Sequence, residues 1–186
     1  MSTVAHLTLD QYDRMIAAGA FEQGRRLRLE LIQGEIREMT PIGPTHESVV
    51  DALNEWSMDS LPRRRVRVRI QNSIGLPDLE SAPEPDVVWV VRRNYFHKRP
   101  SAADVLLVIE VAESSLAYDA GEKADLYAAA GIADYWVVNV SDRSIEVRRE
   151  PAGGRYRSLK THLGDDEIRP LAFPDVTLQP ASLWEP

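Results

Sequence analysis

Asp86-Val87-Val88-Trp89-Val90-Val91 and Val105-Leu106-Leu107-Val108-Ile109-Glu110-Val111 decide the fold. Each is a short apolar run rich in β-branched residues and bounded by turn-forming sequence, which predicts a strand buried on both faces. Asp134-Tyr135-Trp136-Val137-Val138-Asn139-Val140 reads as a third. Such strands need helices to cover them, and two amphipathic segments answer that need. After the Pro41–Pro44 loop, His46, Val49, Val50, Leu53, Trp56 and Ser57 recur at spacings of three and four, while Glu47, Asp51 and Asn54 point the other way. Thr45 stands where a cap for this helix is expected. A second helix is predicted from Tyr118 to Ala130, stopped at Gly131.

Working outward, residues 8–20 predict a short capped helix with Leu9, Tyr12, Met15 and Ile16 on one face. Leu27, Leu29 and Leu31 alternate with Arg28 and Glu30, Gln33-Gly34 makes a two-residue turn, and Glu35 to Met39 returns. In that register Glu30 faces Arg37 and Leu31 faces Ile36. Arg65-Val66-Arg67-Val68-Arg69-Ile70 alternates as a further strand, and Leu76 to Pro83 reads as loop. Residues 145–161 predict a hairpin turning at Gly153-Gly154, followed by an irregular Pro-rich tail. The expected fold class is α/β: a central mixed β-sheet flanked by helices, with an added N-terminal hairpin and a C-terminal hairpin, in one domain spanning 1–186.

Composition fits that class. The chain has 186 residues, 44% hydrophobic and 27% charged, which excludes a disordered or fibrous protein. With no cysteine, a disulfide framework, a thiolate zinc site and a cysteine nucleophile are excluded. No apolar run approaches a membrane span, and Met1 to His6 carries no secretory pattern, so the expected compartment is cytoplasmic. The net charge of −7 argues against a DNA-coating role. That charge is uneven: residues 1–100 hold 14 basic and 14 acidic side chains, residues 101–186 hold 8 and 15. Arginines also cluster at Arg25, Arg26 and Arg28, and at Arg63, Arg64, Arg65, Arg67 and Arg69.

Function is expected where the pattern breaks its own rules. Asp86 opens one apolar strand and Glu110 interrupts another. A carboxylate there needs a cation, or, for Asp86, a strand end open to water. Lys123 is the third break, because its helical phase shares a face with Ala120, Leu126, Tyr127 and Ala130. Either it reaches the acids on the sheet, or it makes an ordinary surface pair with Asp119. His46 sits on the buried side of its helix, as a satisfied core residue or as part of a site. Glu30 is a cross-strand partner for Arg37 or a further acid of the same site.

Pro85-Asp86, then Glu110 near the end of the next hydrophobic strand, then a lysine, resembles the signature of the PD-(D/E)XK nuclease superfamily. More narrowly, the chain resembles the Uma-two family of restriction-endonuclease-like proteins. The resemblance rests on Leu29-Glu30-Leu31-Ile32-Gln33-Gly34-Glu35, Pro44-Thr45-His46-Glu47, Gln71, Glu84-Pro85-Asp86-Val87, Leu107 to Val111, Asp119-Ala120-Gly121-Glu122-Lys123, Tyr127, and Ala130 to Val138. It departs at Ala112, where the simplest signature carries its lysine, and at Ala112-Glu113-Ser114-Ser115, where such proteins tend to have Leu-Ser-Pro-Ser. The resemblance implies a single restriction-endonuclease-like domain whose lysine has moved to Lys123.

It also implies a Mg²⁺-dependent endonuclease (Mn²⁺ as substitute) that hydrolyses DNA. The expected catalytic residues are Asp86, Glu110 and Lys123, with Glu30 and His46 as secondary members. The expected metal ligands are Asp86, Glu110 and the carbonyl of Val111. Two neighbouring carboxylates suit Mg²⁺, and a lysine beside them suits a developing negative charge. The expected partners are DNA and a second copy of the chain, since cutting two strands needs two sites, and no membrane. Two other expectations compete: a non-catalytic interaction module on the same fold, and a metal-dependent hydrolase of another phosphate ester.

Overall fold

The computed structural model describes residues 4–22 and 28–184; Arg25, Arg26 and Leu27 of the sequence reading lie outside them. The first element is α1 (Leu9–Ala17), closed by a reciprocal cap between Thr8 and Gln11. Strands β1 (Leu29–Ile32) and β2 (Glu35–Glu38) form a separate antiparallel hairpin, with Glu30 opposite Arg37 and Leu31 opposite Ile36, the register expected from the Gln33-Gly34 turn. Helix α2 (Pro44–Ser60) follows. Its cap position is Gly43, not Thr45, because Pro44 already occupies the first helical position, where its missing N–H is harmless.

The remaining strands are β3 (Val66–Ile70), β4 (Val87–Val91), β5 (Val105–Ala112), β6 (Asp134–Asn139), β7 (Ser144–Ala152) and β8 (Arg155–Leu163). They form one six-stranded sheet in chain order, and every pairing is antiparallel except β5 with β6. That single parallel step requires a crossover, and the chain spends residues 113–133 on it. The C-terminal hairpin is therefore not an addition beside the sheet but its last two strands. The tail after Gly164 is mostly irregular, held by a bridge between Ile168 and Leu178 and a short turn at Pro180–Leu183.

The sheet is covered on both faces. On one side, Val49, Val50 and Leu53 of α2 meet Val87, Trp89, Leu107, Ile109, Val111, Trp136 and Val138. On the other, Leu126 and Tyr127 meet Val88, Val90, Val108, Tyr135 and Val137. Alternation along β5 sends Leu107, Ile109 and Val111 to the first side, and Val108 and Glu110 to the second. Glu110 thus projects toward the crossover.

The crossover is not the continuous helix predicted for 118–130. A short turn α3 (Leu116–Tyr118) leads into a π-helical turn at Asp119–Lys123, and regular helix α4 (Ala124–Ala129) resumes after it. Asp119 and Lys123, four residues apart and so on one face of the turn, are both buried.

Asp134 locks the far side of the sheet. Its buried carboxylate accepts from the Trp136 indole N–H at 2.8 Å, Arg149 Nε at 2.8 Å and the Leu171 backbone N–H at 2.8 Å, joining β6, β7 and the tail. Removing it strands all three donors. Asp134→Ala is expected to lower the unfolding free energy by about 3 kcal/mol, measured by urea denaturation at neutral pH; a loss below about 1 kcal/mol would mean the cluster behaves like a surface pair.

Candidate active site

Asp86 and Glu110 meet because β4 and β5 run antiparallel, with Val87 opposite Ile109, so the residue before one strand lies beside the penultimate turn-out of the other. The Asp86 backbone N–H donates to Glu110 Oε2 at 3.2 Å, and the Val111 N–H donates to Asp86 Oδ2 at 2.9 Å. Glu110 is thereby fixed by the backbone of Asp86, and Asp86 by the backbone of the residue after Glu110. Gln71, just past β3, has a left-handed backbone (φ 49°) and directs its amide to Asp86 Oδ1 at 3.3 Å. From α2, His46 Nε2 lies 3.1 Å from Asp86 Oδ2.

Glu110 is 2% exposed and receives Lys123 Nζ at 3.1 Å and the Tyr127 hydroxyl at 2.8 Å, both on Oε1. Lys123 is itself buried, and its ammonium also has Glu30 Oε2 at 3.6 Å and Asp119 Oδ1 at 3.9 Å. Glu30 is held in turn by the Tyr118 hydroxyl at 3.1 Å and the Glu84 backbone N–H at 3.3 Å. Asp119 accepts from the Ser115 hydroxyl. One cation therefore serves three buried acids from three elements.

The electrostatics follow from this arrangement. Burial pushes the Glu110 carboxyl well above the ordinary range, and the charge of Lys123 opposes that rise without cancelling it. Burial works to lower Lys123, but Glu110, Glu30 and Asp119 overcome it and keep the ammonium protonated. Burial also raises Asp119, with Lys123 opposing. At Asp86 burial again pulls upward, yet the hydrogen bond and charge of His46 hold the carboxyl below its usual value. The converse pairing raises His46 against its burial. Neighbouring acids are thus driven apart, one toward ionisation and one away from it.

These groups line the floor of a cleft of about 350 Å³, walled by Arg28, Arg37, Met39 to Ile42 and Glu113 to Ser115. All five residues singled out in sequence, Asp86, Glu110, Lys123, Glu30 and His46, line it, as does Val111. Glu30 is not the partner of Arg37, although their backbones face each other. The Arg37 guanidinium instead reaches Glu122 at 2.6 Å and Glu35 at 3.0 Å, which leaves Glu30 to the buried lysine. Sequence reasoning missed Asp119, Tyr118 and Ser115 as members. The tyrosine one turn after Lys123 was visible on its face, and so was Asp119, one turn before it, once that face was taken as buried.

Among the described residues, no three histidine, cysteine or carboxylate side chains already converge as a metal cluster. The donor set nonetheless fits Mg²⁺, which retains several waters and takes only one or two carboxylates; Asp86 and Glu110 on adjacent strands, opening on a polar cleft, supply those.

A family model described as "putative restriction endonuclease", Uma2, matches residues 9–181. The chain belongs to the Uma2 family. A solved structure similar to this Uma2 chain is that of a putative nuclease belonging to DUF820 from Anabaena variabilis ATCC 29413. The TM-score is 0.74 at 13% sequence identity, covering 96% of this chain and 97% of that one. No curated protein matched the sequence. The fold is thus shared with that structure over nearly the whole chain, and the family match spans the hairpin, both carboxylate strands and the crossover.

The buried pair makes a prediction for the metal-free protein. Lys123→Met and Glu110→Gln each strand a buried charge, and each is expected to destabilise the fold by about 3–5 kcal/mol. In the double variant the losses should fail to add, leaving a coupling of at least about 1 kcal/mol in urea unfolding with EDTA. Additive losses would show that Lys123 is held by Glu30 and Asp119 rather than by Glu110.

Proposed function

We propose that this Uma2 protein is a Mg²⁺-dependent endonuclease that hydrolyses phosphodiester bonds of DNA in the cleft floored by Asp86, Glu110 and Lys123. The observation that carries this reading is the lysine ammonium buried within 3.1 Å of a carboxylate whose other oxygen is tied to the backbone of Asp86. A structural ion pair would satisfy Glu110 with Lys123 and leave the surroundings apolar. Here the pair opens instead on a polar cleft that also holds a second strand-borne acid and a histidine.

Phosphodiester hydrolysis needs a water placed for attack on phosphorus, relief of the charge that grows on the non-bridging oxygens, and a proton for the departing oxygen. Asp86, Glu110 and the carbonyl of Val111 would hold the Mg²⁺, which, when bound, polarises the phosphate and lowers the pKa of a bound water. Lys123 contributes a fixed positive charge at the floor, placed to neutralise the phosphate or to orient the attacking water. His46 keeps Asp86 ionised and fixes its Oδ2. Glu30, on the N-terminal hairpin, holds Lys123 at 3.6 Å and can accept a hydrogen bond from a water. Arg28 and Arg37 at the cleft wall offer charge to the phosphate flanks. A homodimer would bring two such clefts to the two strands of a duplex.

The test is nicking of supercoiled plasmid with Mg²⁺ or Mn²⁺. Wild type is expected to nick only with metal, and Lys123→Ala is expected to lose activity at least about a hundredfold while keeping a metal-induced thermal shift. Asp86→Asn should lose both. At a metal concentration about 100 times its Kd, the wild-type shift should correspond to roughly 2.7 kcal/mol. A wild type that neither nicks nor shifts would instead support a non-catalytic module on this fold.

A further inference from the structure

Two segments outside the cleft share an unusual charge pattern. Residues 62–74 and 91–100 contain Arg63, Arg64, Arg65, Arg67, Arg69, Arg92, Arg93, Lys98 and Arg99, nine of the chain's 22 basic residues, and no acid. They are neighbours in space: Val66 pairs with Val91, and the Arg92 N–H donates to the Arg65 carbonyl at 2.8 Å. Elsewhere most arginines are committed, for example Arg28 to Glu84, Arg37 to Glu122 and Arg149 to Asp134. Of the nine, only Arg93 (to Asp104) and Arg99 (to Asp13) make an ion pair among the described residues. On a chain of net charge −7, seven such cations at one sheet edge are not a statistical background.

Edge protection accounts for charge on β3, the outermost strand, but not for how these side chains sit. Arg69 is half-buried, and its Nε has no hydrogen-bond partner, although a guanidinium withdrawn from water ordinarily has one. Burial lowers its pKa, and Arg67 and Arg99 beside it lower it further; of these three like charges only Arg99 has an acid, Asp13, as partner. Val66, Val68 and Ile70 pack on the α2 side, which leaves Arg67 and Arg69 on the face that carries Glu110. Their i, i+2 spacing sets them about 6.6 Å apart along the strand, close to the step between successive phosphates of one nucleic-acid strand. The same strand ends in Gln71, which bonds Asp86. At the tip of the adjoining loop, Phe96 is 83% exposed, with His97 packed edge-on against its ring and Lys98 next in sequence.

We propose that β3 and the β4–β5 loop form a surface that grips the sugar–phosphate backbone of a nucleic acid through Arg63, Arg64, Arg67, Arg69 and Lys98, with Phe96 stacking on a base, and leads the strand to the cleft. A row of unpaired guanidiniums matches phosphate chemistry, and an exposed aromatic beside it matches a base face. The choice of nucleic acid among polyanions rests on the hydrolysis proposed for the cleft.

Binding is read by fluorescence anisotropy of a labelled random-sequence DNA duplex, and of the corresponding single strand, in EDTA across a salt series. Arg67→Gln/Arg69→Gln should weaken binding about tenfold and reduce the slope of log K against log salt by about two. The exposed pair Arg63→Gln/Arg64→Gln should act in the same direction. Phe96→Ala should weaken single-strand binding with the salt slope unchanged. Arg155→Gln/Arg157→Gln, on the opposite edge strand, should change nothing. Wild-type affinity and slope in both β3 variants would overturn the proposal. So would equal losses in the β8 control, which would mean a diffuse field, or arginine-dependent binding to phosphatidylserine vesicles but not to DNA, which would make the surface a membrane contact. Hydrolysis of bis(p-nitrophenyl) phosphate, too small to span cleft and edge, separates the two readings. Loss in Lys123→Ala with retention in the β3 variants supports the cleft chemistry whichever way DNA binding falls.

Discussion

A lysine ammonium with almost no access to water needs counter-charge, and the crossover between β5 and β6 is shaped around supplying it. Lys123 takes Glu110 from the sheet, Glu30 from the N-terminal hairpin and Asp119 from its own π turn. Each contact ties a different element to the same atom, so hairpin, sheet and crossover share one electrostatic centre. Burying an ion pair gives little net stability over an apolar core. The arrangement is therefore better understood as a device for holding three acids and a cation at fixed positions beside a cleft than as a staple.

The second anchor is the reciprocal bonding of Asp86 and Glu110, in which each side chain is oriented by the other's neighbourhood of backbone N–H groups. This makes the carboxylate geometry a property of strand register: a slip of one residue along β4 would turn Asp86 to the α2 side. The apolar residues around the pair act as much on chemistry as on stability. They exclude water, which raises Glu110, while His46 at the cleft edge keeps Asp86 ionised. Two acids on adjacent strands, joined through the Asp86 backbone N–H, thus keep different affinities for protons.

How much of this was legible in sequence depended on range. Register and burial were readable because periodicity and the Gln33-Gly34 turn dictate them locally: Glu30 does lie opposite Arg37, and Lys123 does share the buried face with Leu126 and Tyr127. Side-chain partners were not readable from register alone, since Arg37 had a choice of acids and took Glu122 and Glu35. Long guanidinium stems choose among several carboxylates by three-dimensional proximity, which no pairwise pattern encodes. The π turn was invisible for a similar reason. Its sequence, Asp119-Ala120-Gly121-Glu122-Lys123, suits an ordinary helix apart from one glycine, so nothing in the local pattern announces the wider turn. Thr45 failed as a cap for a local reason that outranked another local reason, the proline one residue earlier.

The net charge of the chain also changes meaning once its distribution is seen. Averaged over the molecule, −7 opposes association with nucleic acid, and the cleft floor with its four acids adds to that repulsion. Charge screening confines each patch to roughly 8 Å at physiological ionic strength, so an approaching polyanion responds to the nearest surface rather than to the sum. A cationic edge on β3, reached before the acidic floor, would hold a phosphate chain by its flanks while only the phosphate at the cleft meets the carboxylates. Lys123 shares its charge among three acids of that floor, so in the function proposed a bound cation would add to it in offsetting the repulsion between floor and phosphate. The same excess of acid that opposes a nucleic acid is what a divalent ion, in the function proposed, would offset.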